Sequence, residues 1–402
     1  MGLRIAMVAA CPFPARRGTP LRIERLSEAL AQLGHEVEVI TYPMGESEAS
    51  SSYLVHRAGG TGMSYGTIAP GPTPRKLLQY DPLLAAKIGR LLADKPFDVV
   101  HAHHVEGLLT AWWGRGRKPV PLVYDAHTML GSELPSYGGG LLGRVMGGTG
   151  RWLDVQLPPL ADHVVTVTPD IRERLLRAGR LTPDRVTVAM NGVELDVFAR
   201  AVGREPIAPD RVIYTGTLAA YQGFDLLLKA FAKAWTLRPS MRLVVAASTG
   251  FERYEELARS LGIREAILLE PDDFAVLPDR LADAAIAVMP RTVCDGIPQK
   301  LLNYMAAGKA VVSSAGSAKV LQDGHNGLVV PNDDVEAFAV ALLRIAEDPG
   351  LRQRLAQAAL DFVARECAWS STAQICERVY VGLTGGRTAT RSTLVPNANN
   401  AA

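Results

Sequence analysis

The sequence predicts an α/β protein of two domains, each built on a parallel sheet, and three observations carry that reading. Short β-branched runs alternate with longer amphipathic stretches along the chain. The strand-like runs are almost continuously apolar, as strands covered by helices on both faces must be. The scheme then begins again near residue 211, after a segment (196–210) that mixes proline, glycine and charge without periodicity. A length of 402 residues suits two or three domains at about 150 residues each.

The elements follow in order. LRIAMVA (3–9) reads as a buried strand, and a helix over 20–34 follows. Pro20 stands in its first turn, where a missing N–H costs nothing, and Gly34 stands at its end. Strands at 37–42 and 53–58 come next, then a helical stretch through 75–93. FDVVHAHH (97–104), PLVYDAH (121–127), HVVTVT (163–168) and RVTVAM (185–190) complete the first set. RVIYTG (211–216), MRLVVAAS (241–248), EAILLE (265–270), IAVMP (286–290), KAVVSSA (309–315) and GLVVP (327–331) form the second. Helices are expected from 223, over 333–346, over 349–366 and through TAQICERVY (372–380). The expected division is 1–198 and 199–383, the last helix packing back toward the first domain, with 384–402 a disordered tail.

Composition excludes several classes. Basic and acidic residues number 43 and 41, a net of +2, so nothing draws the whole chain to nucleic acid. The cysteines at 11, 294, 367 and 376 form neither a disulfide framework nor a CxxC zinc motif, and a reducing cytoplasm is the simplest setting. The first apolar run is too short for a signal peptide, and its arginine pair follows rather than precedes it. No stretch reaches the length of a membrane span. GGGLLG (138–143) matches GxGxxG, but SELPSY before it is no strand, so the dinucleotide reading is rejected. Residues 138–160 mix Leu, Val, Met and Trp with arginines, which suits a plain core helix or a face that touches lipid.

Parallel sheets bind ligands beyond the carboxyl ends of their strands, and three segments put polar residues there. Arg16, Arg17 and Gly18 form the loop that enters the first helix, whose free amides can hold a phosphate or carboxylate; an ordinary connection is the alternative. Asp125 and His127, in VYDAHTML, form an Asp-x-His pair suited to hydroxyl recognition. His101, His103 and His104 raise the question of a metal. Adjacent His103 and His104 point to opposite sides of an extended chain, so none is expected. The most informative segment is MPRTVCDGIPQKLLNYMAAGKAVVSSAG. A strand ends near Met289, a loop carries Asp295 and Gly296, and a helix starts near Pro298 with its amide end toward the crevice, which suits a diphosphate. Asp295 and Asn303 bracket that helix start and could take sugar and ribose hydroxyls.

The order of these segments resembles the retaining glycosyltransferases of family 4, which have the GT-B architecture. The resemblance rests on the arginine–glycine loop before GHEVEVITYP, and on VVTVTPDIRERLL leading to VTVAMNGVELDVF. It continues through VIYTGTLAAYQGFDLLLKAFAKA and DGIPQKLLNYMAAGKAVVSSAG to GHNGLVVPNDD, spanning about residues 3–380. It implies two facing Rossmann-like domains with a cleft between them, a nucleotide-sugar donor on the second and a glycan, lipid-linked or small-molecule acceptor on the first. It also implies retention by front-face attack, and neither metal nor other cofactor. By position, Gly18 would lie beside the donor phosphates, and His127, with Asp125 beside it, near the transferred sugar. Gly216 and Gln222 fall in the phosphate-binding segment. Asp295 and Asn303 take the places of two glutamates, Gly296, Ile297, Pro298 and Gln299 form the sugar–phosphate loop, and Leu301 and Leu302 would lie near the nucleotide. The chain departs from the pattern at Thr217, Gln222 and Asn303, where arginine, lysine and glutamate are usual; Arg291, Lys300 and the Arg16–Arg17 pair are the candidate substitutes. The alternative is a non-catalytic sugar-nucleotide or glycan-binding protein of the same fold. A cytoplasmic protein, peripheral at the inner face of the membrane through residues 138–160, is the expected setting.

Overall fold

The computed structural model describes residues 2–15, 18–45, 52–59, 73, 75–137 and 140–385. Arg16, Arg17 and the tail from 386 onward lie outside the described residues.

Among the described residues thirteen strands form two sheets. The first contains β1 (Arg4–Ala9), β2 (Glu36–Thr41), β3 (Leu54–Arg57), β4 (Val99–His103), β5 (Leu122–Ala126), β6 (His163–Thr166) and β7 (Val186–Val188), in the order β3-β2-β1-β4-β5-β6-β7. The second contains β8 (Arg211–Thr215), β9 (Arg242–Ala247), β10 (Ile267–Pro271), β11 (Ile286–Met289), β12 (Ala310–Ser314) and β13 (Leu328–Val330), in the order β10-β9-β8-β11-β12-β13. The ladders within both sheets are parallel. Each strand falls on one of the apolar runs read from the sequence. β1 lies between β2 and β4, and β8 between β9 and β11, so each sheet changes winding direction at its first strand. A crevice opens beyond the strand ends at such a point.

Helices cover both sheets. The first carries α1 (Gly18–Gln32), α2 (Asp81–Asp94), α3 (His104–Arg115), α4 (Leu130–Glu133), α5 (Gly140–Gln156) and α6 (Pro169–Arg177). After the short α7 (Leu195–Phe198) come α8 (Phe224–Leu237), α9 (Glu252–Ser260), α10 (Leu277–Asp283), α11 (Gln299–Ala306), α12 (Val335–Glu347), α13 (Pro349–Glu366) and α14 (Trp369–Leu383). Their starts have local causes. The Thr168 side chain accepts from the Ile171 amide at the head of α6, and Asp334 and Asp348 do the same for α12 and α13. Pro349 supplies the first residue of α13, where its fixed φ suits a helix. Leu227 and Phe231 of α8 share one core with Phe338 and Leu342 of α12. Each such side chain gains roughly 1.5–3 kcal/mol from burial.

The chain passes between the two domains twice, side by side. Ala189 is buried in the core of the first, whereas Val193, Phe198 and Ala201 are buried in the second. These contacts draw the crossing nearer residue 190 than the 198/199 division read from the sequence, because α7 carries apolar residues with a core to fill. The return crossing lies beside it: the Val193 amide donates to Cys367 O at 2.8 Å, and Val193 bridges Ala368. α14 then lies against α1, with Ala373, Cys376 and Tyr380 buried in the first core. All four cysteines are free. Among the described residues no helix is long and apolar enough to cross a membrane.

The Tyr380 hydroxyl bonds to Nδ1 of fully buried His101 at 2.5 Å. Tyr380→Phe leaves that nitrogen without its partner, and a cost of about 1–3 kcal/mol is expected. A lowered thermal unfolding midpoint measures it; an unchanged midpoint would show that this bond adds nothing to the docking of α14.

Candidate active site

Asp125 is the penultimate residue of β5 and has no exposed surface. Its carboxylate accepts two bonds from Arg22 of α1, Nε to Oδ2 at 2.9 Å and Nη2 to Oδ1 at 3.2 Å. The remaining guanidinium hydrogens reach Ala189 O at 3.0 Å, Met190 O at 3.3 Å and Asn191 Oδ1 at 3.0 Å. His101 Nε2 lies 3.2 Å and His103 Nδ1 3.4 Å from Asp125 Oδ2. His103 Nδ1 also meets His127 Nε2 at 3.1 Å, and His127 Nδ1 meets Thr19 Oγ1 at 3.3 Å. The register explains the gathering. Asp125 pairs with His103 across β4 and β5, and residues two apart on a strand share a face.

Burial alone would raise the Asp125 carboxyl. The Arg22 guanidinium, with His127, His101 and His103, holds it well below the usual carboxylate range. Burial lowers His127; Asp125 pulls against this, but His103, Arg22 and His104 push it further down. Burial likewise takes His103 to about 4, against its bond to Asp125. His127 is therefore a neutral imidazole at pH 7, able to accept a hydrogen bond at the edge of the crevice.

The expectation of a metal-free site is corrected here. His101, His103 and Asp125 are all buried, and one potential ligand atom from each lies within 4.8 Å of the others. The sequence argument compared the wrong neighbours: His103 and His104 do diverge, but His101 and His103 share a face. His104 leaves the strand with φ 62° and opens α3. A metal ion held by the three would share Asp125 with Arg22.

His104 anchors a second polar group beside His127, their rings 6.4 Å apart. It bonds to Glu106 and, at 3.1 Å, to Glu133, which also accepts from Thr128 Oγ1 at 2.6 Å. Lys76 Nζ lies 3.5 Å from Glu106. Burial would lower His104, but Glu106 and Glu133 raise it to about 10. Burial would raise Glu106, but His104 and then Lys76 bring it to about 2.

The second domain faces this group with the loop after β11. A Cβ on Gly296 would stand 3.5 Å from the His127 carbonyl oxygen, so that loop lies against the strand end bearing His127. Asp295 pairs with Arg174 of α6 at 3.0 Å, and Lys319 with Asp170, one turn earlier on α6, at 2.9 Å. Gln299 Nε2 donates to Gly192 O at 3.0 Å, and Pro298 stands as the extended residue capping α11.

Lys300 donates to Thr215 O at 3.0 Å and lies 4.1 Å over the Tyr214 ring. It is 3.7 Å from where a Cβ on Gly216 would stand, and Gly216 has φ +97°, which a side chain rarely tolerates. Burial, with Arg291 adding to it, takes Lys300 to about 7 against the pull of Asp272. Gln222 and Asn303 are both buried, and Oε1 and Oδ1 respectively have no hydrogen-bond partner.

Other sequence-derived positions sit apart. Arg291 lies over the Tyr221 ring at 5.0 Å and donates to Val293 O at 2.6 Å. The side chains of Ile297, Leu301 and Leu302 are buried in a core with Ile213, Met289 and Val311. Gly18 opens α1 with free space where a Cβ would be. Arg22, Glu106, Glu133 and Arg174 were missed. Arg22 sits in a charged amphipathic helix where nothing local distinguishes it from a solvated arginine.

Known proteins resemble the chain along most of its length. Residues 17–197 match Glycosyltransferase Family 4, and residues 209–348 match Glycosyl transferases group 1. The D-inositol 3-phosphate glycosyltransferase of Kribbella flavida is 28% identical, over 97% of this chain and 96% of its own length. The protein of the same description from Streptomyces bingchenggensis is 27% identical, over 97% and 91%. Among solved structures, sucrose-phosphate synthase from Thermosynechococcus elongatus aligns with a TM-score of 0.77 at 19% identity, covering 96% of this chain and 100% of that one. Anabaena HepE in complex with UDP aligns with 0.71 at 16% identity, covering 95% and 100%. These two share the fold.

Arg22→Met strands a buried carboxylate, which costs about 3–5 kcal/mol when one partner of such a pair is removed. Chemical unfolding followed by circular dichroism measures this, and a loss below about 1 kcal/mol, the range of an exposed pair, would show that the histidines suffice.

Proposed function

The chain is a glycosyltransferase of GT-B fold related to family 4, and on that premise we propose that it is a retaining enzyme transferring a sugar from a nucleotide diphosphate to a hydroxyl acceptor held by the first domain. The close approach of the Gly296 loop to His127 carries this reading, because it sets a donor-side loop against the backbone of the strand end that bears His127. The departing diphosphate needs positive charge and aimed donors. Lys300 and the amide end of α11 supply them, in place of the cations absent at Thr217 and Gln222. The Gln222 and Asn303 oxygens accept from donor hydroxyls, since a phosphate offers them no hydrogen.

Neutral His127 accepts from a hydroxyl of the transferred sugar through Nδ1, where that hydroxyl takes the place of Thr19 Oγ1, and Asp295 holds the opposite edge. The acceptor oxygen attacks the face the diphosphate leaves, and a departing phosphate oxygen takes its proton. A closed crevice excludes the water that would otherwise intercept the sugar. HepE was solved with UDP, so a UDP-sugar is the first donor to try. The curated relatives are described by D-inositol 3-phosphate. A cytoplasmic setting beside the membrane suits a lipid-linked acceptor, with exposed Val145 and Trp152 of α5 the face that meets it.

His127→Ala and Asp295→Ala are each expected to lower nucleotide-sugar turnover by about tenfold or more, with the product anomer of the wild type matching the donor by proton NMR. Unchanged turnover in both variants would defeat the assigned roles, and an inverted anomer would defeat retention. The state of Lys300 adds a pH signature. Below about 7 the amine is already charged. Above it, binding must first protonate the amine, so UDP affinity is expected to hold steady below pH 7 and weaken by up to about tenfold per unit above it. Lys300→Met removes that slope in calorimetric titrations, and a slope that survives the substitution assigns it to another group.

A further inference from the structure

A second cavity, of about 360 Å³, lies at the amino ends of strands β11 and β12 in the second sheet. Ala284 and Ala285, just before β11, and Lys309, just before β12, contribute to its floor. The crevice lies at the other ends of these strands, beyond Met289 and Ser314. The segment after the first crossing (Gly203, Arg204, Glu205) forms one wall, and Arg352 with Gln353 and Gln357 of α13 forms the other.

Its charge is unbalanced. Lys309 is 5% exposed, and its Nζ has only two long contacts, to Ala284 O at 3.3 Å and Ala282 O at 3.5 Å. Arg352 has a buried Nη1 with no hydrogen-bond partner. Arg204 spends its charge on Asp279 at 2.9 Å and Asp283 at 3.5 Å. Burial, then Arg204 and Arg352, push Lys309 down to about 8, against Asp283 and Glu205. Leaving a buried guanidinium nitrogen unpaired is costly, and an oxyanion repairs both defects because its oxygens accept from two cations at once.

We propose that this cavity, lined by Arg352 and Lys309, is a binding site for a small phosphate-type oxyanion, distinct from the donor site. Gln353 of α13 adds a neutral donor, while Gln357 Nε2 donates to Asp361 at 2.8 Å; phosphate or a small phosphate monoester fits the size and chemistry of the cavity. Exposed Glu205 at the rim is the anion's competitor.

The test uses the full chain with its crevice saturated by UDP, titrated with inorganic phosphate and followed by phosphorus NMR. One-to-one binding is expected to persist under UDP. It weakens by about tenfold or more in Arg352→Ala and again in Lys309→Gln, as loss of a charge-assisted bond requires. Glycerol phosphate in a parallel titration distinguishes a monoester site from one for the free ion. Arg352 reaches the surface of α13, and a phosphate-free thermal melt within about 4 °C of wild type verifies that its variant folds. Phosphate binding that UDP displaces and Arg352→Ala leaves intact would place the ion in the donor site and overturn the proposal. Failure to bind up to the order of 10 mM would overturn it equally. Neither outcome depends on the sugar-transfer reading.

Discussion

One buried ion pair organises the first domain. A carboxylate without access to water is tolerable only if its charge is matched and its lone pairs are filled. Asp125 meets both demands through Arg22, His101 and His103. Arg22 brings α1, and its spare hydrogens fasten the chain leaving β7; His101 brings β4 and, through Tyr380, the last helix. Elements far apart in sequence are thus held by one side chain with no exposed surface. Burial keeps His127 neutral, with His103 and Arg22 adding to it against the pull of Asp125, so the packing that surrounds the ion pair also prepares the residue at its rim.

The contacts across the crevice are of another kind. Arg174–Asp295 and Asp170–Lys319 are partly exposed ion pairs, and Gln299 reaches a single carbonyl. Exposed pairs contribute about 0–1 kcal/mol each. The buried network resists disturbance, while the contacts that close the crevice are cheap to break. A transferase needs that contrast, because it must admit two substrates and release two products without unfolding the scaffold that orients them.

The strands were legible because a parallel sheet buried on both faces leaves continuous apolar runs, and RVIYTG or HVVTVT admits little else. Asp125, His127 and the loop around Gly296 were legible because strand ends next to helix starts are where such folds bind ligands. What stayed hidden depends on register and on distant partners. Arg22 is an ordinary helical arginine until α1 is laid over β5. The sharing of a face by His101 and His103 follows from strand periodicity, yet attention fell on the adjacent pair at 103 and 104. Leu302 shows the opposite error: its place in a motif suggested a ligand contact, whereas the turn of α11 directs it into the core. Lys300, proposed to replace the missing loop cations, is set apart from other helical lysines only by its folded approach to Gly216.

The paired crossings have a mechanical meaning. Two backbone segments running side by side and bonded at Val193 and Cys367 act as a pin with an axis, where a single linker would act as a tether. Rotation about that axis opens the two halves like a book; rolling or sliding of one over the other strains both segments together. The last helix therefore belongs to the bearing as much as to the wall it covers. Cutting the chain ahead of Trp369 would leave two folded halves whose alignment no longer survives each opening.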